Sequence, residues 1–272
     1  MRGRIPRVCQ VSLETLTPIR IGAGGGAGKP LVDDALGGRV IPREYQTRAS
    51  VAGTGVIKLR GQAYIPGSTL RGWLRGLYTG ALESAGSPDP ERDADQVMGS
   101  TTQAGAIAVN DLFAVAPLVT FSTQLVRFGA STGRSPRRFP TELVKSRTVF
   151  TGTLLYVEGA LPKVLKTIFA QSAVLQDWLC NGRGGANPET AIPGSPICKP
   201  LFQHNGAQWS ITWKLGQYAK SYAKALTNRR TIGLPHAYYL VEKTNEVPGW
   251  VRVDFQIPSD GFQLNAWDKE KS

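Results

Sequence analysis

Cysteine and histidine are scarce in this chain of 272 residues, which holds three of the first and two of the second. Cys9, Cys180 and Cys198 are an odd number and none stands in a CxxC pair, so neither a disulfide framework nor a zinc site is expected. His204 and His236 lie far apart, which argues against a histidine-pair nuclease and leaves each an ordinary surface or core residue. Long hydrophobic runs are missing as well, for no stretch approaches the roughly 20 apolar residues of a membrane span. The basic N-terminus Met1-Arg-Gly-Arg-Ile-Pro-Arg-Val8 precedes no such run either. No signal peptide is therefore expected, no membrane partner, and a cytoplasmic location.

Acidic residues are few relative to basic ones, with 20 Asp and Glu against 32 Lys and Arg and a net charge of +12. A polyanion is the natural partner of such a surface, because each neutralised phosphate releases condensed counterions. Hydrophobic residues make up 41% of the chain and charged ones 19%, enough apolar material for one substantial core. Neither an internal repeat nor a convincing linker divides it. We read residues 1–272 as one domain, with long insertions at about 29–61 and 122–147.

Gln10 to Thr15 alternates polar and apolar residues like a half-buried strand, and Ile19-Arg-Ile21 continues it. Gly22 to Gly28 is too glycine-rich for regular structure, and Lys29 to Gly61 reads as a long irregular excursion. Ser68 to Ala85 is the clearest helix: Leu70, Leu74, Leu77, Tyr78, Ala81 and Leu82 fall on one face. Ser68 or Thr69 is placed to cap its start and Gly86 to end it. Gly72, Gly76 and Gly80 recur inside it at a cost of about 1 kcal/mol each relative to alanine. Close packing on a sheet or close approach of a nucleic acid would each account for them. A polar loop over Ser87 to Gln96 leads to a strand at Ala106 to Phe113. A basic loop with Arg127, Arg134, Arg137, Arg138, Lys145 and Arg147 precedes a strand at Thr148 to Val157. A helix at Leu161 to Leu179 and strands at Trp209 to Leu215 and Trp250 to Ile257 complete the reading. The order strand, helix, strand, strand, helix, strand outlines a ferredoxin-like α+β fold.

The segment Ile21 to Pro30 is neither a P-loop nor a Rossmann turn. Ala23 takes the first P-loop glycine's place, Pro30 replaces the magnesium-binding hydroxyl, and no helix pattern follows. Its backbone NH groups are still suited to contact with phosphates, which makes Gly22, Gly24, Gly25, Gly26 and Lys29 candidate phosphate-backbone-binding residues. A second candidate lies in Tyr64-Ile-Pro-Gly-Ser-Thr-Leu-Arg-Gly72. Ile65 before Pro66 is held extended, and Gly67 permits a sharp turn into the helix. Gly67, Ser68 and Thr69 thus sit at a positive helix end, with Arg71 and Arg75 one turn apart behind them.

That string, continuing to Trp73-Leu-Arg75, resembles the signature of the RAMP superfamily, the repeat-associated proteins of CRISPR systems. Thr17-Pro-Ile-Arg-Ile-Gly-Ala-Gly24 is similar to an early glycine element of the family, and Ala108-Val-Asn-Asp111 to a later strand. Thr141-Glu142, Arg147 and Phe150-Thr-Gly152 resemble an element of its backbone subunits. The glycine loop together with the proline–glycine motif looks most like the repeating backbone subunit of type III effector complexes. This resemblance implies a ferredoxin-like or RRM-like palm with a thumb hairpin, lined up with neighbouring RAMP subunits along a guide CRISPR RNA. The implied partners are that guide, a complementary target RNA and other effector subunits. Arg134, Arg137 and Arg138 would form a second RNA-facing loop. An aspartate between the glycine loop and the motif would cut target RNA with a divalent cation, Mg or Mn. Asp33 and Asp34, Asp33 first, are the acidic pair in that interval and so the candidate catalytic and metal-binding residues. A non-catalytic capping subunit and a stand-alone processing ribonuclease are the alternatives.

Overall fold

The computed structural model describes residues 6–22, 32–33, 39–40, 56–100, 103–117, 119–129, 137–181, 201–216 and 237–258. Strand β1 (Pro6–Thr15) turns Cys9, Val11, Leu13 and Thr15 inward and Gln10, Ser12 and Glu14 outward, the period of two that a half-buried strand requires. Inside the expected excursion, β2 (Val32–Asp33) pairs with β3 (Arg39–Val40). β4 (Lys58–Leu59) and β5 (Gln62–Ile65) form a hairpin whose turn residues Arg60 and Gly61 have φ of 48° and 82°, as a tight two-residue turn demands.

Helix α1 (Gly67–Ser84) buries the face that the spacing predicts. It ends as predicted, on Gly86 at φ 81°: the Gly86 N–H donates to Glu83 O and the Ser87 N–H to Leu82 O, closing the last turn. The expected polar loop after it is instead a helix, α2 (Pro90–Met98). Asp89 caps it by accepting from the Arg92 N–H, and Pro90 opens it where a missing N–H costs nothing. The single strand expected over Ala106 to Phe113 is two, β6 (Ile107–Val109) and β7 (Leu112–Ala114), interrupted at Asn110 and Asp111.

The stretch expected as a basic loop is also corrected. β8 (Thr120–Gly129) and β9 (Arg137–Val144) form an antiparallel ladder. β10 (Val149–Val157) follows as predicted. The long helix expected over Leu161 to Leu179 breaks at Gln171 into α3 (Ala160–Ala170) and α4 (Ser172–Asn181). β11 (Leu201–Asn205), β12 (Gln208–Lys214), β13 (Ala237–Val241) and β14 (Trp250–Gln256) complete the described elements. β11 and β13 have no counterpart in the sequence reading.

The result is an α+β architecture. A nine-stranded sheet runs β11-β12-β14-β1-β10-β7-β5-β4, with β6 also on β10, and its described pairings are antiparallel. α1 packs on α2, α3 and α4, and α3 on β10. The inward residues Leu13, Phe150, Leu154 and Val253 meet Leu70, Leu74 and Leu165 of the helices in one core. Each such fully buried side chain contributes about 1.5–3 kcal/mol. Trp73, Trp209, Trp213 and Trp250 belong to that core as well. β13-β8-β9 form a separate sheet with its own small cluster of Leu125, Leu143 and Val241.

Candidate nucleic-acid interface

The turn from β5 into α1 is fixed by two long-range contacts. Pro66 has φ −55° and ψ 136°, so the chain enters the helix from an extended residue. Gly67 is buried against β6, and a Cβ there would stand 2.0 Å from Val109 O. Only glycine fits. Its N–H donates to Asp111 Oδ1 at 2.7 Å, which puts a carboxylate at the positive end of the helix. The Thr69 and Leu70 N–H groups both turn back to Pro66 O.

This arrangement corrects two expectations. The helix start carries no side-chain cap from Ser68 or Thr69, because Pro66 occupies the cap position. Nor is Gly67 open to a phosphate, since Asp111 takes that place from within the protein.

What remains open lies one turn further along. Ser68, Arg71, Gly72 and Arg75 on α1 face Asp95, Gly99 and Ser100 at the end of α2, and together they line a groove of about 580 Å³. Arg75, expected to face RNA beside Arg71, is engaged within the protein. Its guanidinium donates to Asp95 Oδ1 from Nε at 3.2 Å and from Nη2 at 2.8 Å, and Nη2 also reaches Glu91 Oε2 at 2.7 Å. A planar fork with these donors is well matched to such a carboxylate pair. Arg71, by contrast, has no hydrogen-bond or ion-pair partner among the described residues. Sequence reasoning found the α1 side of the groove and missed the α2 side, since it had read that segment as a loop.

The remaining candidates scatter. Gly22 is half-buried at the end of the described segment after β1, while Gly24, Gly25, Gly26 and Lys29 lie outside the described residues. Asp33 is in β2, its backbone in register with Arg39; Asp34 lies outside the described residues. Among the described residues no group of three or more His, Cys, Asp or Glu converges on a metal position. Arg134 lies outside them too, and Arg137 begins β9. Arg138 is exposed and donates to Glu242 Oε1 at 2.7 Å, so it is paired with β13's end. His204 is exposed and stacks on Trp209 at 3.8 Å between ring centroids, and His236 is outside the described residues. Cys9 is buried, and burial pushes its thiol up to about 12, which leaves it inert.

Glu142, which the sequence marks only as part of the family element, has a structural role. Glu142 on β9 accepts from the Val56 N–H at 3.0 Å, from Thr120 Oγ1 at 2.8 Å and from Lys58 Nζ. Burial alone would raise its carboxyl pKa. Hydrogen bonds from Lys58, Val56 and Thr120, with the Lys58 charge, outweigh burial and hold it below the ordinary value of 4.5. The β8–β9 hairpin is thereby tied to the segment that leads into β4.

The family model described as the RAMP superfamily matches residues 12–254. No curated protein sequence matches the chain. Two of the solved structures to which the chain is similar come from type III CRISPR complexes. One is a chain of the type III-B Cmr-β complex bound to cognate target RNA, with 13% identity and a TM-score of 0.40 over 66% of this chain. This chain spans 56% of that neighbour's length. The other comes from the Csm–crRNA–target RNA ternary complex of a type III-A CRISPR–Cas system, with 13% identity, a TM-score of 0.49, and 90% of this chain aligned to 100% of its own.

Proposed function

The chain belongs to the RAMP superfamily, and on that footing we propose that it is a guide-RNA-binding backbone subunit of a type III or type III-like CRISPR ribonucleoprotein. The family match over residues 12–254 is the observation that carries this reading. The chemistry agrees with it: a net charge of +12 and an Arg71 without a partner among the described residues, beside an open groove, suit a phosphodiester backbone. The strand order β14-β1-β10-β7, with α1 between β1 and β7 in the chain and α3–α4 between β10 and β14, supports a ferredoxin-like palm. The β8–β9 ladder supports a thumb. Its partners in this reading are a guide CRISPR RNA, a complementary target RNA and neighbouring effector subunits, with no membrane surface.

Target cleavage is the second half of the proposal and rests on Asp33 and Asp34. Two adjacent carboxylates suit Mg²⁺ or Mn²⁺, which commonly completes its shell with substrate phosphates and water. The bound ion would stabilise charge on the scissile phosphate. A structural subunit without cleavage is the alternative.

The test uses the full chain assembled on guide RNA. Labelled complementary RNA is added with Mg²⁺ or Mn²⁺, and wild type is compared with Asp33→Ala and Asp34→Ala. Regularly spaced cuts lost in one variant are expected, and cutting untouched by both removes the catalytic assignment. Guide affinity that does not fall with salt removes the backbone-grip reading itself, because log K should drop by about 0.7 per phosphate contact for each unit of log salt on a single strand.

A further inference from the structure

The glycines of α1 do not share one explanation. Gly76 and Gly80 are buried, and their stripe continues to Ser84, whose hydroxyl donates to Gln171 Oε1 at 2.9 Å where α3 meets α4. Both therefore lie on the packed side of α1. Gly72 is exposed, and a Cβ built on it would meet nothing within 4 Å. Its φ is not positive, so the backbone does not require glycine either. A residue that weakens a helix interior therefore stands where neither packing nor conformation asks for it. Its one structural consequence is to leave the helix bare in the groove between Arg71 and Arg75.

The walls of that groove carry opposite charge. At the α2 side, Asp95 and Glu91 hold Arg75, so an anion entering there meets carboxylates whose charge is only partly answered. At the α1 side stand Arg71, without a partner among the described residues, and the exposed Ser68 hydroxyl. A volume of about 580 Å³ falls within the roughly 300–1,000 Å³ range of small-ligand sites. We infer that this groove seats one sugar–phosphate unit of single-stranded RNA. The phosphate lies on Arg71 and Ser68, and the sugar crosses Gly72, where any side chain would stand in its way. Gly72 is then a specificity-determining position, and the inference rests on the RNA-binding reading above.

Gly72→Ala and Gly72→Gln in the full chain, with wild type, are measured for melting temperature and for affinity to a single-stranded RNA oligonucleotide and to AMP. Both substitutions should raise the melting temperature, because each improves the helix. Gly72→Gln should lower RNA affinity at least tenfold and Gly72→Ala by less. A more stable Gly72→Gln variant that binds RNA like wild type overturns the inference and leaves the RNA-binding reading standing. A fall in melting temperature for both variants also overturns it, since glycine would then serve the fold. Tighter binding of AMP than of RNA makes the groove a free-nucleotide site and overturns it as well. Wild type that shows no salt-dependent RNA binding removes the underlying reading first.

Discussion

At the scale of single residues, the motif Tyr64 to Gly72 gave up its turn and its helix to sequence reasoning, but not its electrostatics. Pro66 and Gly67 announce an extended-to-helical turn through their own backbone limits. The carboxylate that fills the helix end comes from Asp111, 44 residues along the chain. No local pattern marks that pairing. Two substitutions test it in opposite senses. Gly67→Ala must push β6 away, because its Cβ falls on Val109 O, and overpacking of this kind costs about 1–3 kcal/mol or more. Asp111→Ala leaves the Gly67 N–H half-buried without its acceptor, and losing a helix-end cap costs about 0.5–2 kcal/mol. Urea midpoints should fall for both. An unchanged midpoint for Gly67→Ala would show that the turn is not packed against Val109.

At the scale of elements, some misreadings were avoidable and others were not. Asp89-Pro90-Glu91 carries an N-cap, a first-turn proline and a first-turn acid, so α2 was written in its own sequence. The β8–β9 ladder was hidden by arginines, which drew attention from the alternation of Phe121, Thr123 and Leu125 beneath them. Beside the backbone bridge between Ile19 and Val144, Glu142 ties that ladder to Lys58 of the β4–β5 hairpin, and the two side chains are only 11% and 12% exposed. Glu142→Ala leaves Lys58 buried without its carboxylate, and breaking a buried pair costs about 3–5 kcal/mol. The pH dependence follows from the direction of the shift. The carboxyl pKa is lower in the folded state than the ordinary 4.5, so its contribution is present above that value and is lost as pH falls through the folded pKa. Denaturation from pH 7 to pH 3 should show Glu142→Gln less stable than wild type near neutrality, with the gap narrowing below pH 4.5. A gap that stays constant down to pH 3 would mean that the carboxylate's charge contributes nothing.

At the scale of the whole molecule, the sequence order of strands and helices was enough to predict an α+β sheet, yet not where its charge would lie. The outer face of β14-β1-β10 presents Gln10, Ser12, Glu14, Thr151, Thr153, Arg252 and Asp254. Its one cation is spent internally, for Arg252 reaches Glu14 at 2.7 Å and Asp254 at 3.4 Å. These positions include no aromatic ring on which a base would stack, unlike the platform of an RRM. On the RNA-binding reading proposed above, a phosphate grip is therefore expected from α1 rather than from these positions. Arg71→Ala and Arg252→Ala remove the same charge from two places and separate these surfaces. Plotted as log K against log salt, single-stranded RNA binding by Arg71→Ala should lose about 0.7 from its slope, the share of one phosphate contact. Arg252→Ala should keep the wild-type slope, and the loss of an exposed ion pair should cost at most about 1 kcal/mol of stability. Equal slopes for the two variants would place the RNA without regard to α1, and a slope lost only in Arg252→Ala would move it onto the sheet.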